Sequence, residues 1–481
     1  MSHSSTDTST PVEESTKPMD AVFSTATDSK PIDYPTFSRY TDLPNYVDQT
    51  VCVIGWVRKM RTAGKIIFME LSGGLHHIVQ VVIKKKDLSP TCTCESYVLV
   101  TGLVKKLPDK VYSVLPVEIQ GVTMKIIGES DGSASTICPP DAGPHTRLEQ
   151  RHMYFRDSRY SLIIKVRAQL LSAMRYFFDS TGVTEIIPPC FTGVEAEGGA
   201  TLFKVPYPGK SSDKPITAYL TQSSQFALEM CLPGVGDCYC LYPSFRAENS
   251  NTRRHLTEFL HLEAEWASIL TFEQHCQKLQ ELLDGIMSAF LKSAEQTLKQ
   301  LGLYERVQGL AAMCKKDQIL ILDHKDAIEE LKKRCIYKDS DTKEHFGPRD
   351  DIPEAQERQL IDEIGKIVFL SKFPKEFKSF YMGLDPSDES RVLGVDVEVP
   401  TVGEIIGSGI REHNYDRLLQ RLLDSGLNPD DYREYLDLRK WGFGRTSGMG
   451  LGVDRMLTWI LGEHSIREVT TFPRFPGYLR P

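Results

Sequence analysis

One stretch of the 481-residue sequence concentrates side chains that could bind a charged ligand. Two strand-like runs flank a polar loop of about six residues between residues 245 and 265, and alternate residues of a strand share a face. One face of the first run carries Arg246 and Glu248, and one face of the second carries Phe259, His261, Glu263 and Glu265. Guanidinium groups bind phosphate, rings stack on bases, and carboxylates bind amines or metals. The combination suits a nucleotide, although a solvated surface hairpin would carry similar residues.

A glycine-rich run at residues 448–461 is the second candidate. Closely spaced glycines let a backbone pass near a ligand, and an apolar helical pattern with a single Arg455 follows. A lone guanidinium in such a helix needs a partner, and phosphate is a suitable one. We expect no strand to lead into this run, and its glycine spacing fits neither the Walker nor the Rossmann pattern. The alternative is a tight turn into a core helix.

Carboxylates mark the third candidate, residues 396–411. Asp396 and Glu398 alternate with valines that would pack inward. Glu404 and Arg411 are seven residues apart, which places them on opposite faces of a regular strand, so a bend at residues 407–409 is needed to bring both to one site. Carboxylates within a sheet are costly unless they are paired or bind a metal, and Mg²⁺ would serve.

The elements that must position these residues fall into two parts. Five short β-rich runs between residues 48 and 128 predict a small Greek-key barrel of the OB type. Residues 51–125 carry 11 Lys/Arg and 5 Asp/Glu although the whole chain has a net charge of −8, so this module is suited to a polyanion. Beyond residue 150, helical patterns that include residues 161–180, 272–300 and 453–462 are interspersed with adjacent strands, which predicts an α+β layer built on an antiparallel sheet.

We expect a disordered N-terminal arm at 1–35, the barrel at 36–128, a linker at 129–150 and a catalytic domain at 151–481. The arm lacks an apolar signal segment and arginine, so the cytoplasm is the expected compartment. No apolar run approaches the ~18 residues of a membrane span. The 11 cysteines form no C-x-x-C pair, which argues against a disulfide scaffold or a four-cysteine zinc site.

Taken together and in this order, the three segments resemble the motifs of class II aminoacyl-tRNA synthetases of the aspartyl/asparaginyl/lysyl subgroup. Motif 1 resembles residues 161–189, motif 2 residues 245–265, and motif 3 residues 448–461. The resemblance covers residues 48–481. It implies an α+β fold in which an N-terminal OB-fold anticodon domain precedes a catalytic domain on an antiparallel sheet flanked by helices. It also implies a homodimer formed through motif 1.

Within the subgroup, the chain is most similar to the asparaginyl enzymes of the eukaryotic cytosolic type, through residues 218–225, 253–265, 378–382 and 402–406. Aspartyl enzymes typically carry Lys where this chain has Leu228, and Asp where it has Glu263. A carboxylate at residue 263 would accept a hydrogen bond from an asparagine amide and repel an aspartate. The resemblance thus implies ATP-dependent ligation of L-asparagine to tRNA-Asn through an asparaginyl-adenylate, with Mg²⁺ as the metal.

The resemblance also implies roles for individual residues. The ATP-binding residues would be Arg246, Glu248, Arg254, His255, Leu256, Phe259, Gly452 and Arg455. Of these, Arg246 and Arg455 would be catalytic. The amino acid would be bound by Glu197, Ser223, Gln225, Glu263 and Arg411, and the metal by Asp396 and Glu404. The anticodon would be met by Phe68, Lys59, Arg61 and Lys65, the alternative for Phe68 being the barrel core.

Two departures from the family pattern affect the pocket. Asp454 stands where a glutamate is usual and predicts a weaker second metal or water contact, and Arg445 alters the expected approach to motif 3. Three alternatives stay open. They are an aspartyl enzyme, with or without activity on tRNA-Asn, an asparagine synthetase on the same fold, and a non-catalytic RNA-binding relative. The β module argues against the second, and Arg246, Glu404 and Arg455 argue against the third.

Overall fold

The computed structural model of the protein describes residues 34–74, 77–108, 115–196, 201–209 and 216–480. The chain divides into two units, and the boundary along the sequence lies between Ala142 and Gly143. Each unit has its own sheet and its own apolar core, and each is described separately below.

Alternating apolar residues close the N-terminal unit into a barrel. Its elements are β1 (Thr36–Phe37), β2 (Thr50–Ala63), β3 (Ile66–Ser72), β4 (Ile78–Lys84), β5 (Tyr97–Lys106), β6 (Val117–Gly128) and the short helix α1 (Ala134–Ile137). The sheet order is β1-β2-β3-β4-β6-β5, and β2 pairs back with β5. On β3, Ile67, Met69 and Leu71 are buried in the core, so the residues between them face outward. The five strands predicted for an OB-type barrel are confirmed.

The second unit carries the helices. They are α2 (Pro144–Glu149), α3 (Arg151–Tyr154), α4 (Ser158–Ser180), α5 (Gln225–Val235), α6 (Phe272–Leu301), α7 (Tyr304–Met313), α8 (His324–Lys333), α9 (Glu354–Ile364), α10 (Tyr415–Asp424), α11 (Arg433–Asp437), α12 (Val453–Leu461) and α13 (Ile466–Val469). The helix predicted from residue 161 begins earlier, at Ser158, because the Asp157 side chain accepts a hydrogen bond from the backbone N–H of Tyr160 (2.8 Å). A capping box at Thr271 and Gln274 starts α6 in the same way.

The strands of the second unit form one large sheet and two small ones. They are β7 (Thr184–Glu185), β8 (Phe191–Thr192), β9 (Lys204–Tyr207), β10 (Ile216–Leu220), β11 (Cys238–Phe245), β12 (Glu258–Trp266), β13 (Leu320–Asp323), β14 (Val368–Ser371), β15 (Leu384–Asp385), β16 (Asp388–Val392), β17 (Gly394–Val399), β18 (Gly403–Ile410) and β19 (Ser447–Gly452). The large sheet has the order β13-β14-β17-β18-β19-β12-β11-β7. Its six central strands are antiparallel and its two edge pairs are parallel. The predicted antiparallel sheet is therefore its centre.

Three sequence-based expectations need correction. The glycine-rich run was expected to have no strand leading into it, but it is itself the strand β19, paired on both sides with β12 and β18. The polar loop of the 245–265 hairpin is longer than the six residues expected, because β11 ends at Phe245 and β12 begins at Glu258. The bend in the 396–411 segment lies at Ile405 rather than at residues 407–409.

The glycines of β19 are explained by the side chains of its neighbour β12. Gly448 pairs with Glu265, and Gly450 pairs with Glu263. A Cβ on Gly448 would overlap the Glu265 carboxylate, and one on Gly450 would overlap the His261 ring. The glycines therefore leave room for the polar face of β12 to lie across the neighbouring strand.

We predict that Gly448→Ala destabilises the second unit by about 1–3 kcal/mol, because the added methyl group must displace the buried Glu265 carboxylate. The midpoint of thermal unfolding should fall accordingly. Gly444→Ala is the matched control, since a Cβ at that exposed glycine meets nothing within 4 Å. Equal midpoints for the two variants would contradict this explanation.

Candidate active site

A cavity of about 270 Å³ opens above the polar face of β12, bounded by β18, β19 and the 246–257 loop. It brings together fourteen of the residues singled out from the sequence: Ser223, Gln225, Arg246, Glu248, Arg254, His255, Leu256, Phe259, Glu263, Asp396, Glu404, Arg411, Gly452 and Arg455. Glu197 lies outside the described residues. The four residues expected to meet an anticodon belong to the N-terminal unit.

Arginines gather at one end of this cavity. The Arg246 guanidinium lies 5.5 Å from the centre of the Phe259 ring. Arg455 donates from Nη1 to the Glu404 backbone oxygen (2.9 Å) and carboxylate (3.3 Å), and Arg254 pairs with Glu354. Burial and the nearby positive charge of Arg455 lower the pKa of Arg254 to about 10. Closely packed cations of this kind form a receptor for a multiply charged anion.

His255 is held as a neutral donor at the same end. Burial, followed by the charge of Arg455, lowers the pKa of its ring. Its Nδ1 lies 2.6 Å from the Thr252 hydroxyl and 3.2 Å from the Ser250 hydroxyl, both of which can donate to it. That assignment leaves the proton on Nε2, where it can be donated to a ligand.

The opposite end of the cavity is acidic. Glu263 is 3% exposed and accepts hydrogen bonds from the Ser223 hydroxyl and from the backbone N–H of Ser224 (2.8 Å). These donors fix the carboxylate group in place, since hydrogen bonds to the charged form stabilise it. In this structure, the Ser223 hydroxyl therefore positions the Glu263 carboxylate.

Arg411 reaches this end from the residue after β18. A register shift leaves Ile405 unpaired between Glu404 and Ile406, so Glu404 and Arg411 come to the same cavity. Both Arg411 nitrogens that face Glu265 donate to its carboxylate, the Nε at 3.2 Å. Burial raises the pKa of Glu265 to about 8, against the opposing charge of Arg411. The sequence placed Glu265 on the Glu263 face by alternation, but it did not indicate this pairing.

A buried ionic network lies behind the acidic end. Glu229 has no exposed surface and accepts from the Gln225 amide (2.9 Å), the Tyr435 hydroxyl (2.9 Å) and the Arg439 guanidinium (2.7 Å). Its carboxylate is also 3.9 Å from Arg411 Nε. Glu229 thus holds Gln225 and faces Arg411. Gln225 and Glu229 are four residues apart on α5, the one signal that could have linked them, whereas Tyr435 and Arg439 come from the distant 433–440 region.

Asp396, Glu404 and Lys378 line the third part of the cavity, and two further carboxyl groups, those of Glu357 and Glu398, interact with them electrostatically. Burial raises the pKa of Asp396 to about 6 despite its ion pair with Lys378, whereas for Glu404 the charges of Arg455, Lys378 and Arg246 outweigh burial and lower the pKa. Burial and mutual repulsion raise the pKa of Glu357 to about 8 and that of Glu398 well above its usual range. At neutral pH the charged pair is therefore Asp396 and Glu404.

The donor set of Asp396 and Glu404 fits Mg²⁺. In the described part of the chain, no three or more His, Cys, Asp or Glu side chains are arranged to hold a metal by themselves. Mg²⁺ is usually held by one or two carboxylates together with substrate phosphates and water. Two ionised carboxylates beside the arginine-rich end of the cavity meet that requirement.

Asp454 and Arg445, the two departures from the family pattern, have other partners. Asp454 lines the cavity, and its carboxylate pairs with Arg167 of α4 and accepts from the Thr470 hydroxyl (3.0 Å), so it ties α12 to α4. Arg445 donates to the Leu270 backbone oxygen (3.0 Å). The expectation that the shorter Asp454 weakens a second metal or water contact stays a prediction.

On the N-terminal unit, Phe68 lies on the outer face of β3. It alternates with the buried Ile67 and Met69, and the Arg61 guanidinium lies 5.0 Å from its ring centre. Lys59 and Lys65 are exposed nearby on β2 and the following turn. The alternative that places Phe68 in the barrel core is wrong.

Comparison with known proteins agrees with this geometry. Residues 143–476 match the family model of class II tRNA synthetases (D, K and N), and residues 51–122 match the OB-fold nucleic acid binding domain. The cytoplasmic asparagine–tRNA ligase of Saccharomyces cerevisiae is 36% identical over 452 residues, which span 92% of this chain and 79% of that protein. Its human counterpart is 36% identical over 443 residues, spanning 90% and 77%.

The chain belongs to the asparaginyl-tRNA synthetases. Among solved structures, asparaginyl-tRNA synthetase of Entamoeba histolytica with asparaginyl-adenylate has a TM-score of 0.80 at 31% identity, covering 90% of this chain and 97% of that chain. The Pyrococcus horikoshii enzyme with the same adenylate has a TM-score of 0.79 at 33% identity, covering 91% and 98%. A putative aspartyl enzyme of Leishmania major, at 24% identity, shares the fold. Among the described residues, none of the helices is both long and apolar enough for a membrane span.

We predict that Asp454→Ala lowers the stability of the second unit by about 3 kcal/mol, because it leaves the partly buried Arg167 without its partner. Thermal unfolding measures the change. Glu463→Ala is the control, since it breaks a more exposed ion pair to Arg159 of the same helix and should cost about 1 kcal/mol or less. Equal losses of stability in the two variants would show that the Asp454–Arg167 pair stabilises the unit no more than the exposed Glu463–Arg159 pair does.

Proposed function

We propose that this asparaginyl-tRNA synthetase joins L-asparagine to tRNA-Asn in two steps within the cavity above β12. The observation that carries the proposal is the charge division of that cavity. Guanidinium groups gather at one end, and the fixed Glu263 carboxylate lies at the other. The first end suits a triphosphate, and the second suits a neutral amide side chain.

In the first step, an oxygen of the asparagine carboxylate attacks the α-phosphorus of ATP. The bond from that phosphorus to the bridging oxygen of the β-phosphate breaks, and pyrophosphate leaves. Arg246 neutralises the α-phosphate and the incoming carboxylate, and Arg254, His255 and Arg455 hold the β- and γ-phosphates. Phe259 stacks on the adenine while Glu248 accepts from its amino group. No enzyme nucleophile takes part, so catalysis consists of positioning and charge neutralisation.

In the second step, the 3′-hydroxyl of the terminal tRNA adenosine attacks the carbonyl carbon of the adenylate. The ester bond to the tRNA forms, the bond between that carbonyl carbon and the phosphate oxygen breaks, and AMP leaves. Glu197 and Gln225 bind the asparagine ammonium group in both steps. The neighbouring Leu256, which is buried, and Gly452, the N-cap of α12, shape the nucleotide pocket.

Selection of asparagine rests on Glu263 and Arg411. Glu263 accepts a hydrogen bond from the asparagine NH₂ group, and Arg411 donates to its amide oxygen. Because Arg411 is already paired with Glu265, it has no surplus charge to offer an aspartate carboxylate. Leu228, which is fully buried, stands where a lysine would be needed to bind that carboxylate.

Asp396 and Glu404 are the proposed Mg²⁺ ligands. The ion supplies further neutralisation of the phosphate charge when it is bound. What this chain contributes is the arrangement of its own residues. Lys378 holds the Asp396 carboxylate, and Arg455 holds that of Glu404.

Three features outside the cavity complete the proposal. Phe68 stacks on an anticodon base while Lys59, Arg61 and Lys65 meet phosphates, which their exposed positions allow. Two copies of the chain associate through residues 161–189. Support comes from the exposed Tyr176 (66%) and Ile187 (81%), since large apolar side chains on a surface often mark an interface. The compartment is the cytoplasm, as in the names of the relatives.

We predict that ATP–pyrophosphate exchange by the wild-type protein is supported by asparagine and not by aspartate. In Glu263→Gln, the preference for asparagine over aspartate should fall by about tenfold or more, because the carboxylate that repels the acid is gone. A panel of amino acids in the exchange assay measures both. Exchange driven by aspartate alone in the wild type would reject the proposal and favour an aspartyl enzyme.

We also predict that Glu229→Gln raises the KM for asparagine by about tenfold while the KM for ATP stays within about twofold. Gln225 and Arg411 touch the amino acid but lose the anion that positions them, and a hydrogen bond to a charged group is worth about 1.5–3 kcal/mol. Glu412→Gln is the control, because Glu412 is equally buried but binds Arg417 and the Asn414 N–H. A wild-type KM for asparagine in Glu229→Gln would remove the network from substrate positioning.

A further inference from the structure

A second cavity, of about 420 Å³, lies against the phosphate-binding end of the first. Arg254, Arg455 and Ile466 line both cavities, so they form the wall that the two share. Five arginines line the second cavity: Arg253, Arg254, Arg306, Arg358 and Arg455. They come from the 246–257 loop, α7, α9 and α12, elements that are far apart in the sequence.

The positive charge of this cavity is not matched by its own acidic residues. Only Asp362 and Glu463 line it among the described acidic residues. The Asp362 carboxylate accepts from the Thr401 N–H (2.5 Å), and Glu463 pairs with Arg159 (2.6 Å). Of the five arginines, Arg254 and Arg358 contact Glu354, and Arg455 contacts Glu404.

Arg253 and Arg306 have no carboxylate within ion-pair distance in the described part of the chain. Arg253 instead lies 2.9 Å from a ring nitrogen of His464, and Arg306 donates to the Trp459 backbone oxygen (3.1 Å). Both guanidinium groups therefore keep donors and charge for a ligand. A small cavity with converging cationic donors is suited to a compact, highly charged anion.

We propose that this second cavity is an exit site for inorganic pyrophosphate. The inference rests on the proposed function, in which pyrophosphate is released at Arg254 and Arg455. Those two arginines face both cavities, and Arg253, Arg306 and Arg358 continue the cationic lining beyond them. The product can therefore leave the reacting centre while always remaining in contact with guanidinium groups.

Phosphate groups could also come from the tRNA backbone, and the test separates the two sources. Arg253→Met and Arg306→Met each remove a charge while keeping much of the side-chain volume. In ATP–pyrophosphate exchange, each variant should raise the KM for pyrophosphate by about tenfold, the factor expected when one charge-assisted hydrogen bond is lost. The KM for tRNA in aminoacylation should stay within about twofold. Arg433→Met, which removes an exposed arginine that lines neither cavity, is the matched control.

A second measurement does not depend on turnover. The full-length protein is loaded with a non-hydrolysable sulfamoyl analogue of asparaginyl-adenylate, and inorganic pyrophosphate is titrated by calorimetry. Both variants should bind pyrophosphate about tenfold more weakly than the wild type. Thermal unfolding monitors the fold, and Arg253→Met carries the test if Arg306→Met unfolds early, since the Arg253 side chain contacts the exposed His464.

Each outcome decides the matter. Unchanged pyrophosphate constants in a folded variant would overturn the exit site, and so would a raised KM for tRNA with an unchanged KM for pyrophosphate. A wild-type protein without asparagine-dependent exchange would instead overturn the proposed function on which the inference depends. The two failures are thus distinguishable, because only the second abolishes wild-type exchange.

Discussion

The structure depends on holding several guanidinium groups close together in one cavity before any phosphate arrives. Arg246, Arg254 and Arg455 repel one another, and the lowered pKa of Arg254 reflects both this repulsion and its burial. The fold counters the repulsion with partners on separate elements: Glu354 on α9, Glu404 on β18 and the Phe259 ring on β12. These contacts orient the cations. In the proposed function a polyphosphate binds to these cations, so electrostatic preorganisation and substrate affinity would have the same origin.

Close packing of β12 against β19 is the structural condition for this arrangement. Phe259, His261, Glu263 and Glu265 project from one face of β12, and a polar face of this size needs space on the neighbouring strand. Glycine at residues 448 and 450 provides it. The same strand ends at Gly452, where α12 begins and carries Arg455 into the cavity. One short segment therefore leaves room for the polar side chains of β12 and also places Arg455 in the cavity.

Local patterns predicted much of this arrangement, because they depend on neighbours in the sequence. The period-two alternation of β12 placed Phe259 and three polar residues on one face, and the helical period placed α4, α6 and α12 within a few residues of their observed ends. The strand β19 was missed because glycine has low strand propensity and shows no alternation of apolar side chains. The bend at Ile405 was expected two residues later, because glycines such as Gly407 and Gly409 are the usual sites of a bend in a strand. Pairs such as Arg167–Asp454 and Glu229–Arg439 could not be predicted, because tertiary packing alone brings residues about 200 or more positions apart into contact.

In the proposed function, the charge balance at the acidic end of the cavity explains why a neutral side chain is accepted there. The acidic end contains three carboxyl groups, those of Glu229, Glu263 and Glu265, and two guanidinium groups, those of Arg411 and Arg439, which pair with Glu229 and Glu265. The five groups together carry an excess of one negative charge when all three carboxyls are ionised. Protonation of Glu265, whose pKa burial raises to about 8, brings the balance to zero. In neither state is a cation left over for a substrate carboxylate. An aspartate would enter a desolvated site without a counter-ion, whereas an asparagine amide can both donate to Glu263 and accept from Arg411. In the proposed function, discrimination therefore follows from the balance of the whole buried network, of which Glu263 and Arg411 are the members that line the cavity.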